Sequence, residues 1–263
     1  MTKELPVKWL ALDFDGVIAD SLMECLVTAH NAYSKHIGSH DFRLDSTSFT
    51  AKHIKIFRQM RCYIRRGEDY VYLQQAIAEN HSINSQSDFD DFSEANEDVR
   101  ETYSGLFYGQ REKLQTEHSD EWLALNRLYP AIETFLQRID DPDSIFIVTT
   151  KDLMSVQLIL AASGIELNSG HMYQATKTYR KPEILNQIIK TNSIMASQMC
   201  FVDDHAATVL EASEKTDLVC YFAAWGYHSK SQVASIVERN GQMLTLNGFI
   251  GRYNYLTVNG TPD

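Results

Sequence analysis

The sequence predicts an α/β protein built on a doubly wound parallel sheet, with an inserted α-helical domain. Three apolar runs lead to this prediction, because each has the composition of a buried strand and each ends in polar residues. The runs cover residues 9–12, 145–148 and 199–202. The carboxyl ends of parallel strands meet at one edge of such a sheet, where ligands bind. The polar residues that follow the runs are therefore candidates for a single functional site.

Length and charge limit the classes of protein to consider. The chain has 263 residues, enough for a core domain and a smaller second domain. Its formal net charge of −11 argues against a general nucleic-acid binder, which needs a cationic surface. No apolar run approaches the roughly 20 residues that cross a bilayer, and residues 1–6 show no signal-peptide pattern. We therefore expect a cytoplasmic monomer or homodimer whose partner is a small molecule rather than a nucleic acid or a membrane.

The first apolar run ends in two acids, Asp13 and Asp15, and Gly16 follows them. Side chains alternate along extended backbone, so both carboxylates can project towards one site beyond the strand. Two carboxylates this close repel each other and need a cation, a shared proton or solvent. Asp and Gly also form ordinary turns, so this pattern taken alone favours a surface turn.

Residues 22–125 are predicted to form the inserted helical domain, and residues 1–21 and 126–263 the α/β core. Ser21 and Glu24 have the spacing of a capping box at the start of the first helix. The further predicted helices cover residues 47–64, 69–80, 89–107 and 111–128.

Arginines recur at helical spacing in this domain, at Arg58, Arg61 and Arg65, and Arg66 follows. They form either a solvated basic face with counter-charges nearby or a binding site for a second anionic group of a substrate, such as a carboxylate. Arg65 and Arg66 are the candidates for such binding.

Hydroxyl and lysine side chains follow the second apolar run, at Thr149, Thr150 and Lys151. Thr149 can donate a hydrogen bond to a phosphoryl oxygen, together with backbone N–H groups at the start of a helix predicted near Asp152. The alternative is a plain strand end followed by a helix that Asp152 caps.

Three cations, Lys177, Arg180 and Lys181, precede a helix predicted to open at Pro182. Each is either an exposed side chain or a positive charge that binds a phosphoryl group.

The third apolar run ends in Asp203 and Asp204. An acidic helix cap would explain one of them, whereas two together at a strand end call for a cation. A last core strand is predicted over residues 218–224, and residues 231–250 are predicted to form a helix, a turn and a short strand.

Together these segments resemble the four motifs of the haloacid dehalogenase (HAD) superfamily, in particular its phosphoglycolate-phosphatase-like hydrolases with a helical type 1 cap. Residues 13–21, Asp-Phe-Asp-Gly-Val-Ile-Ala-Asp-Ser, match the first motif in its phosphatase form, Asp-x-Asp-Gly-x-x-x-Asp-Ser. Residues 149–151 are similar to the Thr-Asn-Lys of the second motif, with Thr150 in place of Asn. Lys-Pro before a helix matches the third motif and selects Lys181. Asp203-Asp204 is similar to the Asp-Asp form of the fourth motif.

The resemblance implies a Mg²⁺-dependent phosphatase that acts on a small phosphorylated metabolite through an aspartyl-phosphate. Asp13 would be the nucleophile, and Asp15 the acid that protonates the leaving group and then the base that activates water. Thr149, Thr150 and Lys181 would bind the phosphoryl group. The implied metal ligands are Asp13, Asp15 through its backbone carbonyl, and the pair Asp203 and Asp204, with the member of the pair in direct contact left open.

The acid at position 15 separates the branches of the superfamily. Phosphatases and phosphomutases keep an acid there, whereas dehalogenases and phosphonatases lack it, so the resemblance favours phosphoryl transfer by Asp13 and Asp15. A sugar phosphomutase and a non-catalytic module that binds a phosphorylated ligand are the alternatives.

Overall fold

The apolar runs form neighbouring strands of one sheet in the computed structural model, which describes residues 6–258. The strands are β1 (Trp9–Leu12), β2 (Ala19–Asp20), β3 (Arg127–Leu128), β4 (Ile145–Thr149), β5 (Met172–Gln174), β6 (Met199–Asp203), β7 (Val219–Ala223) and β8 (Gln242–Leu244). Six of them form a sheet in the order β5-β4-β1-β6-β7-β8, and all neighbouring pairs are parallel. The strands β2 and β3 pair separately. The predicted α/β fold with a parallel sheet is confirmed.

The chain divides into two structural units. One comprises the residues up to Asp20 and from Leu128 onward, and the other spans Ser21–Arg127. The boundaries predicted from the sequence lie after residues 21 and 125.

Helices α1 to α6 belong to the second unit and α7 to α12 to the first. They are α1 (Leu22–His36), α2 (Ala51–Met60), α3 (Gly67–Ala78), α4 (Gln86–Ala95), α5 (Arg100–Glu117), α6 (Ser119–Leu125), α7 (Pro130–Gln137), α8 (Leu153–Ala162), α9 (Lys181–Thr191), α10 (Ala206–Lys215), α11 (Lys230–Glu238) and α12 (Leu246–Tyr253). None of the helices within residues 6–258 is both long enough and apolar enough to cross a membrane.

Helices cover both faces of the six-stranded sheet. Successive side chains of a strand point to opposite faces, so each strand contributes to two apolar layers. On one face, Phe201 of β6 belongs to a buried cluster with Ile184 of α9 and Val209 of α10. On the other, Cys200 donates to the hydroxyl of Tyr253 on α12 over 3.1 Å. The buried sheet holds the strand ends in fixed positions, and the functional residues follow those ends.

The helical unit has an aromatic core. Tyr70 of α3 and Phe107 of α5 stack with their ring centroids 5.5 Å apart, and Tyr72 meets Tyr103 edge-on at 5.0 Å. Such contacts add to the free energy gained by burying the rings.

The prediction of one helix over residues 89–107 is wrong, because the helix is interrupted at Asn96, between α4 and α5. The Asn96 amide donates to the carbonyl of Phe92 over 2.9 Å, and the Asn96 carbonyl accepts from the Tyr72 hydroxyl over 2.9 Å. These bonds end α4 where the apolar pattern alone would continue it. The helix predicted over residues 111–128 is likewise two helices, since α5 ends before His118 and α6 follows it.

The predicted capping box at Ser21 is also wrong, because the Ser21 side chain makes no hydrogen bond that caps α1. Glu24 is fully buried, and its two carboxylate oxygens accept from Arg111 over 2.8 Å each. The same carboxylate accepts from Thr28 over 2.9 Å and from the Trp122 indole over 3.3 Å. A bidentate ion pair therefore links α1 to α5 inside the helical unit.

Replacing Arg111 by Met should lower the free energy of unfolding by about 3–5 kcal/mol, because it removes the guanidinium that neutralises a buried carboxylate. The double variant Glu24→Gln/Arg111→Met should recover part of this loss, since a Gln oxygen can still accept from Thr28 and Trp122. Urea unfolding followed by circular dichroism measures both effects.

The matched control is Lys113→Met on the same helix. Lys113 pairs with Glu117 over 3.9 Å, and both side chains are exposed, so we expect a loss below about 1 kcal/mol. A loss for Arg111→Met no larger than that of the control would contradict a stabilising role for the buried pair.

Candidate active site

Asp13 and Asp203 lie next to each other because their strands are neighbours. Strands β1 and β6 pair in parallel with Leu12 opposite Val202, and the Asp13 N–H donates to the Val202 carbonyl over 2.9 Å. Asp13 directly follows Leu12, and Asp203 directly follows Val202, so their side chains meet at the carboxyl edge of the sheet.

Lys181 joins these two acids. It is the first residue of α9, and its side chain is buried. The Lys181 ammonium lies 2.8 Å from Asp13 Oδ2 and 2.7 Å from Asp203 Oδ2. Of the three candidate cations, Lys181 is thus the one that the structure places beside Asp13 and Asp203. Arg180 pairs with Glu211 instead.

Burial and neighbouring charges shift the pKa values of Asp13 and Lys181 in opposite directions. Burial raises the pKa of Asp13 from 3.8 to about 6, against the attraction of the Lys181 ammonium, which lowers it. Burial by itself would lower the pKa of Lys181, but the carboxylates of Asp13 and Asp203 outweigh it and raise the pKa above its ordinary value. Lys181 therefore carries a positive charge at neutral pH.

Asp203 and Asp204 are held by different backbone groups. Asp203 is fully buried, and its Oδ1 accepts from the His205 N–H over 2.7 Å. Asp204 Oδ2 accepts from the Tyr227 N–H over 2.6 Å, and the Tyr227 hydroxyl donates to Asp20.

Two glycines make room for Asp204. A Cβ at Gly16 would lie 1.9 Å from Asp204 Oδ2, and one at Gly226 would lie 2.3 Å from Asp204 Cβ. Gly16 also has a φ of +86°, which L-residues with a side chain rarely adopt. The sequence pattern gives no indication of a role for Gly226, because its contact with Asp204 depends on the fold.

The acids fit a divalent cation. Asp13, Asp203 and Asp204 are buried, and each offers a carboxylate oxygen such that the three oxygens lie within 4.8 Å of one another. Carboxylate oxygens are the ligands that Mg²⁺ prefers. Three buried carboxylates with one ammonium between them also leave a negative charge for a cation to neutralise.

Asp15 and Lys151 form a second ion pair at the same edge. The Lys151 ammonium lies 3.3 Å from Asp15 Oδ1, and the exposed fractions of the two side chains are 1% and 17%. The sequence motif includes Lys151 but assigns it no role. Its place two residues after the end of a buried strand is the signal in the sequence that points to it.

The structure places Thr149 and Thr150 differently. Thr149 is buried at the end of β4, and its hydroxyl oxygen accepts from the Lys151 N–H over 3.1 Å. Thr150 is exposed. Asp152 caps α8, since its Oδ1 accepts from the Ser155 N–H over 2.8 Å. Capping of α8 by Asp152 does not conflict with a role of Thr149 in phosphate binding.

The two arginines proposed for substrate binding lie in the helical unit, where acids pair with them. Arg65 makes a bidentate pair with Asp90, with distances of 2.7 and 3.0 Å. Arg66 lies 4.0 Å from Glu68. Their role in substrate binding stays a prediction.

Comparison with known proteins supports the fold. No protein-family model matches the sequence, and neither does any curated protein sequence. Among solved structures, a HAD-family hydrolase from Deinococcus radiodurans with bound phosphate and sodium has a TM-score of 0.57 at 15% identity, over 98% of this chain and 99% of that one. A predicted phosphoglycolate phosphatase from Haemophilus somnus has a TM-score of 0.55 at 16% identity, over 95% and 98% of the two chains.

A third similar structure is a haloacid dehalogenase-like hydrolase from Streptococcus pneumoniae, with a TM-score of 0.54 at 16% identity, over 91% of this chain and 93% of that one. Each of these chains is matched along nearly its whole length. The resemblance first seen in the motifs is therefore confirmed for the architecture, and the chain has the fold of the haloacid dehalogenase-like hydrolases.

Proposed function

We propose that this chain is a Mg²⁺-dependent phosphatase that hydrolyses a small phosphomonoester through a phosphorylated Asp13. The observation that carries the proposal is the Lys181 ammonium, shared between Asp13 and Asp203 beside the buried carboxylate of Asp204. A buried, charge-compensated carboxylate next to a cation site is the arrangement that an anionic nucleophile needs in order to approach an anionic phosphate.

The solved structures with the same fold support the substrate class. The Deinococcus radiodurans hydrolase holds phosphate, and the Haemophilus somnus protein is described as a predicted phosphoglycolate phosphatase. A small phosphomonoester is consistent with both descriptions.

In the first half of the proposed reaction, an Asp13 oxygen forms a bond to phosphorus while the bond to the ester oxygen breaks. The Asp15 carboxyl gives its proton to the departing oxygen, so the alcohol leaves neutral. Mg²⁺ bound by the oxygens of Asp13, Asp203 and Asp204 would supply positive charge that offsets the repulsion between carboxylate and phosphate.

In the second half, the Asp15 carboxylate takes a proton from water, and the water oxygen attacks phosphorus. The bond between phosphorus and Asp13 breaks, which releases inorganic phosphate and restores both carboxyl groups. Through both halves, the Lys181 ammonium and the Thr149 hydroxyl stabilise the negative charge on the phosphoryl oxygens.

Asp13→Asn should abolish turnover of a panel of phosphoglycolate, sugar phosphates and nucleoside monophosphates, because an amide cannot form the phosphorylated intermediate. We expect a loss of at least about 10³-fold in kcat. The control Asp217→Asn removes an exposed acid of the same structural unit and should keep wild-type activity.

Phosphate release and phosphorus NMR of the products identify the reaction in this experiment. Equal activity of wild type and Asp13→Asn would contradict the proposal. An isomerised ester in place of inorganic phosphate would identify a phosphomutase, and tight binding of a phosphorylated ligand without turnover would identify a binding module.

Mg²⁺ should raise the Tm of the wild type, because a cation that binds only the folded carboxylate cluster stabilises that state. The shift should be smaller in Asp204→Asn, which removes a candidate ligand, and unchanged in Asp217→Asn. EDTA should abolish wild-type turnover and added Mg²⁺ restore it. Equal Tm shifts in Asp204→Asn and Asp217→Asn would argue against a metal site at these acids.

A further inference from the structure

Lys151 is a buried cation that the proposed reaction does not use. Its side chain is 1% exposed, and its ammonium lies 3.3 Å from Asp15 Oδ1. Lysine is rarely buried to this extent without an acid beside it. Burying an ammonium costs free energy that a partner must offset, and the Asp15 carboxyl is the acid in contact with this lysine.

The backbone holds Lys151 beside Asp15. Strands β1 and β4 pair with Leu12 opposite Ile147, so the segments that follow the two strands start at the same edge. The Lys151 N–H donates to the Thr149 hydroxyl oxygen over 3.1 Å. The backbone position of Lys151 is thus fixed by the end of β4.

The position of the Asp15 carboxyl decides whether it can transfer a proton, because the carboxyl oxygen must come within hydrogen-bond distance of the leaving oxygen. Asp15 lies beyond the end of β1, in a turn that is closed by the Gly16 N–H donating to the Ala19 carbonyl over 2.8 Å. Its side chain is 17% exposed, and the Lys151 ammonium is in contact with it.

We propose that Lys151 is a positioning residue that holds the Asp15 carboxyl in the orientation for proton transfer to the leaving group. This inference rests on the proposed phosphatase function. The two lysines then have separate tasks: Lys181 contacts the nucleophile Asp13, and Lys151 contacts the acid Asp15. Lys151 itself touches neither the phosphoryl group nor the leaving group in this proposal.

The dependence of the rate on the leaving group tests this assignment. An alkyl phosphate needs an acid to protonate its leaving alkoxide, whereas p-nitrophenyl phosphate releases a stable phenolate and does not. The quantity to compare is kcat/KM, because it reports the steps up to phosphorylation of Asp13, while the later attack by water is common to both substrates.

Lys151→Met should lower kcat/KM for the best alkyl phosphate of the panel by about 10²-fold, the contribution expected of one positioned acid. For p-nitrophenyl phosphate the loss should stay within about 5-fold, since the acid adds little there. Lys151→Arg keeps the charge and the reach and should restore most of the alkyl-phosphate activity.

A double-mutant cycle separates positioning from a general structural role. In the Asp15→Asn background, Lys151→Met should cause no further loss on the alkyl phosphate, because the group that it positions is gone. The control Lys215→Met removes an exposed lysine that pairs with Glu211 over 2.6 Å, and it should leave both rates unchanged. Thermal unfolding checks that each variant is folded, and Lys151→Gln replaces Lys151→Met if the latter does not fold.

Equal losses on the two substrates, or a further loss in the Asp15→Asn background, would overturn the assignment while leaving the phosphatase function intact. The proposed function itself fails on a different result, namely a wild type that hydrolyses neither substrate or an Asp13→Asn variant that remains fully active.

Discussion

The site depends on one buried ammonium, that of Lys181, which lies between the carboxylates of Asp13 and Asp203. Each of these acids is buried at the end of a central strand, and two buried carboxylates side by side would repel each other strongly in a medium of low dielectric constant. The ammonium offsets this repulsion and links β1, β6 and the start of α9. Removing it would leave the strand ends of the sheet with uncompensated charge.

A steric constraint complements this electrostatic one. Asp204 lies against Gly16 and Gly226, and a Cβ at either glycine would overlap it. Its carboxylate also accepts from the Tyr227 backbone. Asp203 is therefore held by the Lys181 ammonium and the His205 N–H, and Asp204 by the Tyr227 N–H and the close approach of the two glycines, so the two adjacent acids keep distinct positions in the same cluster.

The sequence was most informative where local pattern and topology agree. An apolar run that ends in acids predicts a buried strand with its carboxyl end at a site, and the observed parallel pairing of β1 with β6 then places Asp13 beside Asp203. Residue roles came from the resemblance of the motifs, and they remain predictions.

Contacts between residues distant in sequence were not predictable. Glu24 and Arg111 are 87 positions apart, and a Ser-x-x-Glu spacing looks the same whether the Glu caps a helix or enters a buried ion pair. The break at Asn96 depends partly on the hydroxyl of Tyr72, 24 positions earlier. The burial of Lys151 is equally a property of the folded chain, since a lysine after a strand is ordinarily exposed.

The charge of the core site bears directly on its chemistry. Four carboxylates, those of Asp13, Asp15, Asp203 and Asp204, face two ammonium groups, those of Lys151 and Lys181, so two negative charges remain when all are ionised. A phosphomonoester dianion would add two more negative charges to a largely buried site, and its binding alone would be opposed by Coulomb repulsion. A divalent cation would neutralise the two negative charges of the site, and by linkage the cation and the phosphate each raise the affinity for the other. The charges that this chain places at the end of its sheet thus favour a divalent cation there, independent of any resemblance to other proteins.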